Sequence, residues 1–372
     1  MRVDLPLKVI MKIDLKPLKQ VLSKFDREVR MTNPGFGRVF SEHMVISDYE
    51  ASSGWSTPIL QPYGPITLDP AASILHYGQS IFEGLKCYAQ KNGNVALFRP
   101  VENWKRMNES ALRLAMPSIP EDLFISAAEA LVRQDRSWVS DKRGESLYLR
   151  PLMFATEAAL GVRPSISYRF VLFASPCGSY FPQGYKAVSV WLSEDYIRAA
   201  PGGTGAAKFA GNYGASLIGQ KQAIDHGCDQ VVWLDAREHR YLEEMGGMNI
   251  CLVEKKNNQI HLVTPELTGT ILPGITRLSL IQISKDLDWG FSERRISTQE
   301  WQEKSISGEF SETFACGTAA VITPIREVKS RTGSWLINQG AIGPVALQLR
   351  EYLLDLQHGE IPDSHGWLHP IN

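Results

Sequence analysis

The chain reads as an α/β (α+β) protein of two domains joined by a short linker. Three observations predict this. Strand-like and helix-like segments alternate in both halves, which points to mixed layers of helix and sheet. A run dense in turn formers, Pro176-Cys177-Gly178-Ser179-Tyr180-Phe181-Pro182-Gln183-Gly184, interrupts the pattern near the middle. The length of 372 residues is enough for two or three cores. The expected division is a peripheral extension over 1–30, a first domain over 31–177, a linker over 178–185 and a second domain over 186–372.

In the first domain, Leu85–Tyr88 and Val95–Phe98 flank an Asn92-Gly93 turn and predict a β-hairpin. Helical spacing over Asn103–Met116 puts Trp104, Met107, Leu112 and Ala115 on one side. Glu121–Trp138 reads as a second amphipathic helix. Leu147–Leu149 and Phe170–Ala174 read as strands. In the second domain, strands are expected at Val188–Leu192, Gln230–Leu234 and Ile250–Val253. Helices are expected at Ala215–His226, Thr276–Leu287, Thr298–Ser307 and Val345–Gln357.

Composition narrows the function classes. The net charge of -1, with 39 basic and 40 acidic residues, offers no general attraction to nucleic acid or to an anionic membrane. No apolar run approaches the roughly 18 residues of a spanning helix. Asp4, Pro6 and Lys8 break any secretory signal at the start. The five scattered cysteines, none spaced as CxxC, fit a reduced, cytoplasmic setting. The eight histidines show no metal-binding spacing.

The most informative segment is Pro201-Gly-Gly-Thr-Gly-Ala-Ala-Lys208-Phe-Ala-Gly-Asn-Tyr213-Gly214, where one lysine sits among small residues. A phosphate-binding P-loop would need Gly before the lysine and Ser or Thr after it, and Ala207 and Phe209 stand there. A dinucleotide fingerprint fails for want of its third glycine. A solvated surface loop and a Schiff-base lysine remain. The latter needs small neighbours, so that a flat cofactor can lie against the backbone, and a free amine to act as nucleophile and base.

A pyridoxal cofactor would make further demands: an acid for the ring nitrogen, backbone N–H groups and an arginine for the phosphate, and an anion site for the substrate carboxylate. Tyr241-Leu-Glu243-Glu244-Met-Gly-Gly247-Met-Asn249 offers the acid, although two acids in a row are ordinarily a solvated turn. Ile271-Leu-Pro273-Gly274-Ile275-Thr276-Arg277 opens a helix whose first N–H groups suit a phosphate. Phe314-Ala-Cys316-Gly317-Thr318-Ala319-Ala320 is a second small-residue turn.

These segments, in this order, resemble the branched-chain amino acid aminotransferases of the fold-type IV pyridoxal 5'-phosphate (PLP) enzymes. His76-Tyr77-Gly-Gln79-Ser-Ile-Phe82-Glu83-Gly84 and Leu147-Tyr148-Leu149-Arg150-Pro151 match as well, and the likeness spans about residues 34–370. The resemblance implies a homodimer with its active site at the domain and dimer interface. It also implies transamination between Leu, Ile or Val and 2-oxoglutarate. Lys208 would carry the cofactor, Glu244 rather than Glu243 would face the ring nitrogen, and Tyr213 would meet the phenolic oxygen. Arg106, Ile275, Thr276 and Thr318 would bind the phosphate. Without the resemblance, Arg106 reads as a solvated helix residue.

The substrate carboxylate would meet the N–H groups of Thr318, Ala319 and Ala320, and Arg150 would help to bind the second carboxylate of glutamate. Phe36, Phe82, Tyr148 and Gly247 would wall the side-chain pocket. Tyr77, Leu160 and Val162 would reach in from the other subunit. Some members carry a CxxC pair after the GTA turn; Ala320 and Thr323 stand at those positions here, so no thiol switch is implied there. The nearest rivals are a D-amino acid aminotransferase and an aminodeoxychorismate lyase. A binding protein on a decayed enzyme scaffold is the rival from another class, and the intact Lys208, Glu244 and Arg106 argue against it.

Overall fold

The computed structural model describes residues 11–178, 185–256 and 259–371. The chain divides into two compact units, Met1–Cys177 with Gly366–Asn372, and Gly178–His365. Of the expected linker, residues 179–184 lie outside the described residues.

The first unit is built on a ten-stranded sheet, counted among the described residues, whose pairings are antiparallel but for one. The hairpin expected near Asn92-Gly93 is present: Leu85–Ala89 pairs antiparallel with Val95–Phe98. The long strands Ser146–Ala155 and Ser167–Cys177 form its centre and pair along ten residues. The helix Glu121–Gln134 turns Leu123, Phe124, Ala127, Ala128 and Leu131 inward, a spacing of three and four that matches one helical face. These join Leu147, Leu149, Phe170 and Leu172 in a common core.

The structure differs from the sequence reading at both ends. Asp14–Leu15, assigned to a separate extension, adds a parallel edge to Ile59–Leu60. Leu368–Ile371, assigned to the second domain, pairs with Val95–Phe98 of the first. Edge pairings between distant segments leave no periodic trace in the sequence, so neither was readable there. The helix Pro100–Arg113 keeps half of the expected face: Met107 is buried and Trp104 packs against the core. It buries Asn103, Arg106, Met107, Ser110 and Ala111, while Leu112 is 82% exposed. Beside Met107 and Ala111, the buried face carries polar residues that find partners there.

The second unit holds a nine-stranded mixed sheet among the described residues. Val188–Ser193 lies parallel to both Gln230–Leu234 and Val321–Ser330, and the rest of the path is largely antiparallel. Its core gathers Val190, Val232, Ile250, Leu252, Trp301, Phe310 and Ile325. Helices occur at Ala210–Asp225, Ile275–Asp286, Thr298–Ser307 and Pro344–Gln357. All five cysteines are free and buried. No helix among the described residues is long and apolar enough to cross a membrane.

Candidate active site

The lysine loop is fixed in place by its own polar groups. Thr204 Oγ1 donates to Asn212 Oδ1 at 2.6 Å, and Asn212 Nδ2 donates to the carbonyls of Thr204 and Ala207 at 2.8 and 3.0 Å. Glycine at 205 is a steric necessity, because a Cβ there would meet the Thr270 carbonyl oxygen at 2.2 Å. Lys208 is half-buried, and its Nζ donates to the Tyr213 hydroxyl at 3.1 Å. This geometry removes the solvated-loop reading. The small residues let the backbone pack closely and leave one amine beside one phenol.

The paired acids lie in a bulged pair of strands. Val232 pairs with Met245 and Leu234 with Leu242, so three residue steps on one strand oppose two on the other. Such an extra residue re-aims side chains locally. Both acids are buried, Glu243 at 4% and Glu244 at 1% exposed, as is the rest of Leu242–Met245, so the pair is not a solvated turn. Gly246 then takes φ +57° in the tight turn that pairs Met245 with Met248, a backbone state that glycine adopts without strain.

The two acids keep different company. Glu244 Oε1 accepts from the backbone N–H of Leu272 at 2.7 Å, and its Oε2 lies 2.9 Å from Arg198 Nε. Glu243 accepts from the Thr270 hydroxyl. Burial pushes the Glu243 carboxyl up to about 7, against the lowering effect of that hydrogen bond and of Arg198. Arg198 also donates through Nη2 to the carbonyls of Gly205 and Thr270 at 2.9 and 2.7 Å. One guanidinium thus holds together the lysine loop, the Thr270 segment and Glu244.

Two backbone features complete this unit. The helix Ile275–Asp286 begins after Gly274 with no side-chain cap, so the N–H groups of Ile275 and Thr276 stand at a helix N-terminus suited to an anion. A Cβ on Gly274 would meet Asn249 Oδ1 at 2.0 Å, and Asn249 Nδ2 donates to the Leu272 carbonyl at 2.9 Å, binding this turn to the Met248–Lys256 strand. Asn249 pairs with Cys316 across the sheet, which sets the Thr318-Ala319-Ala320 turn at the end of the adjacent strand. Gly247 packs on Tyr213: a Cβ there would lie 3.3 Å from its ring.

The first unit carries the remaining expected residues. Arg106 is buried, not solvated. Its Nε and Nη2 donate to the two carboxylate oxygens of the fully buried Glu83 at 2.7 and 2.9 Å. Asn103 Nδ2 and the Gly84 N–H also donate to Glu83, at 2.7 and 3.0 Å.

In the same unit, Phe36 and Tyr148 meet edge to face with centroids 5.0 Å apart. Tyr148 lies over Gly84, where a Cβ would meet its hydroxyl at 2.0 Å. Arg150 stacks on Phe82 at 4.7 Å, donates to the Tyr148 hydroxyl at 3.1 Å, and has a buried Nε with no hydrogen-bond partner. Phe36, Phe82, Tyr148 and Arg150 therefore form one cluster with an unmet donor. The Tyr77 hydroxyl donates to the Leu160 carbonyl, and Tyr77, Leu160 and Val162 are 40%, 65% and 85% exposed.

Lysine amine, buried carboxylate and open helix N-terminus fit a flat phosphorylated pyridine ring, and the second unit supplies all three. Arg198 was missed by sequence reasoning, since nothing in Ile197-Arg198-Ala199-Ala200 marks it. Glu83 and Asn249 stood inside recognised motifs without an assigned part.

The class IV amino-transferase family model matches residues 80–328. A branched-chain-amino-acid aminotransferase of Mycolicibacterium smegmatis is 53% identical over 93% of this chain and 94% of its own length. The corresponding protein of Mycobacterium tuberculosis is 51% identical over 92% and 93%. Among solved structures, the Escherichia coli branched-chain amino acid aminotransferase is similar, with a TM-score of 0.71 at 29% identity over 89% of this chain and 99% of that one. So is a branched-chain amino acid aminotransferase from T.th. solved with pyridoxamine 5'-phosphate, with a TM-score of 0.71 at 29% identity over 90% and 100%.

Proposed function

The chain belongs to the class IV aminotransferases, and from that premise we propose that it exchanges amino groups between branched-chain L-amino acids and 2-oxoglutarate with PLP as cofactor. It is an aminotransferase of the branched-chain type. The observation that carries the cofactor reading is the amine of Lys208, 3.1 Å from the Tyr213 hydroxyl, in the unit that also sinks the Glu244 carboxylate.

Lys208, Tyr213, Glu244, the N–H groups of Ile275 and Thr276, and Thr318 and Arg106 would hold the group. When bound, PLP supplies an electron sink for the substrate Cα. The chain's own residues do the rest. The Lys208 amine would take up the proton released from the substrate Cα and hold it beside the site. Glu244 keeps a positive ring nitrogen favourable, because Arg198 and the Leu272 N–H hold its carboxylate in a fixed place. The N–H groups of Thr318, Ala319 and Ala320 orient the substrate carboxylate.

The walls explain the donor preference. Phe36, Phe82 and Tyr148 are aromatic, and each buried methylene of the substrate gains roughly 0.8 kcal/mol. Leu, Ile and Val should be good donors and Ala a poor one. Asp should be poorer still, because its short chain would bury a carboxylate without a partner. Glutamate carries its second carboxylate further, to Arg150 and Tyr148. The exposed Tyr77, Leu160 and Val162 support a homodimer, since apolar groups so placed gain by being covered. We take the cytoplasm as the setting, with five free cysteines in support.

The test is direct. The purified protein should absorb in the visible with bound cofactor, and borohydride should fix that cofactor to Lys208. Lys208→Ala should abolish turnover. A labelled peptide containing another lysine overturns the assignment, and a fully active monomer in sedimentation at assay concentration overturns the dimer.

A further inference from the structure

Glu243 has no part in the chemistry above, yet it is buried as deeply as a residue that does. Thr270 donates to its Oε1, while Oε2 is sealed from solvent and has no hydrogen-bond partner. A carboxylate in that position is costly when charged. Burial is accordingly the main cause of its raised proton affinity. The groups that face it electrostatically are Arg198, which opposes the rise, and Glu244 and Asp235, which add to it. A cavity of about 300 Å³ has Glu243, Thr268 and Thr270 in its wall.

Thr270 is shared between the two acids. Its hydroxyl serves Glu243 and lies 2.8 Å from the Thr268 hydroxyl. Its carbonyl accepts from Arg198 Nη2 at 2.7 Å, and Arg198 Nε lies 2.9 Å from Glu244 Oε2. Two residues further on, the Leu272 N–H donates to Glu244 Oε1 at 2.7 Å. The same short segment and the same guanidinium therefore support both acids.

We propose that Glu243 is a positioning residue for Glu244, acting through Thr270 and Arg198 to set the negative potential that Glu244 presents to the cofactor's ring nitrogen. The proposal rests on Glu244 being the ring's partner. A negative Glu243 draws on the charge of Arg198 and leaves Glu244 less neutralised, so the bound cofactor holds its protons more tightly. A protonated Glu243 leaves Arg198 wholly to Glu244, and the cofactor's proton affinity falls.

The experiment is a pH titration of the bound cofactor's visible absorbance in the holoenzyme. Glu243→Gln should move the midpoint to lower pH by about half a unit, the scale of one partly compensated charge at this range. It should also reduce several coupled steps to fewer. Thr270→Val, which removes the hydroxyl donor and favours the protonated acid, should move the midpoint the same way. Thr270→Ser should restore it, and the double variant should move no further than Glu243→Gln alone. The Michaelis constant for leucine should hold while kcat falls. Where Glu243→Gln fails to fold, the Thr270→Val and Thr270→Ser pair carries the same test. If Glu244→Gln shifts the titration and neither Glu243→Gln nor Thr270→Val does, the proposal alone falls. If Glu244→Gln has no effect, the reading of Glu244 falls and takes the proposal with it.

Discussion

Each unit buries a glutamate against an arginine, and the two pairs are built differently. In the first, Glu83 takes two parallel hydrogen bonds from Arg106 and further ones from Asn103 and the Gly84 N–H. A buried carboxylate so fully met is a rigid fixture, and it fixes the plane of the Arg106 guanidinium. In the second, Arg198 places Nε 2.9 Å from Glu244 Oε2 and donates through Nη2 to two backbone carbonyls. Here one arginine organises three segments: the lysine loop, the Thr270 segment and the strand that carries Glu244. The comparison teaches that burial of an ion pair does not by itself mark its task. The task follows from what else the arginine holds: in the first pair the acid fixes the arginine, and in the second the arginine ties the acid to two other segments.

The sharpest way to break the comparison is to neutralise the second acid. Glu244→Gln should lower kcat by about 10²-fold or more, as losing a key electrostatic group does. Steady-state kinetics at saturating cofactor measure it. If Glu243→Gln does the greater damage, the register is wrong by one.

The first pair should show its effect in stability. Arg106→Met strands a buried carboxylate and should cost the apoprotein about 3–5 kcal/mol of unfolding free energy. Urea unfolding of Arg106→Met beside Glu244→Gln gives the contrast. A smaller loss for Arg106→Met than for Glu244→Gln would reverse the two assignments.

A third test concerns the unmet donor of Arg150. Arg150→Met should depress glutamate turnover by about tenfold more than leucine turnover, the scale of one hydrogen bond to a charged group. Single-turnover spectra with each amino acid separate the two. Equal losses would make Arg150 a structural residue.

The smallest effect is a pH slope. Glu243 binds its proton more tightly folded than unfolded, with its pKa raised from 4.5 to about 7. Its contribution to stability is therefore fully present below about 4.5 and is lost as pH rises toward about 7. Thermal unfolding of the apoprotein across that window should show the decline, and Glu243→Gln should flatten it. An unchanged slope would mean that Glu243 titrates alike in both states.

The α/β class, the hairpin at 85–98, the helix at Thr298–Ser307 and the lysine in its small-residue loop are legible in the amino-acid sequence. Each of these is written in adjacent residues, as periodicity, turn chemistry or spacing. Tertiary structure decided the rest, because the deciding partner is remote in sequence. Arg106 reads as a surface residue from its local sequence alone, and the acid that it donates to, Glu83, lies 23 positions away. Arg198 carries no local signal, and its importance lies in contacts with Thr270 and Glu244. Both acids of the Glu243-Glu244 pair lie in a strand that is buried along its length and bulged against Val232–Leu234, and the residues of either strand alone record neither. The closing strand Leu368–Ile371 joins the first unit for the same reason: its partner at Val95–Phe98 lies more than 250 residues back, where no window of sequence reaches.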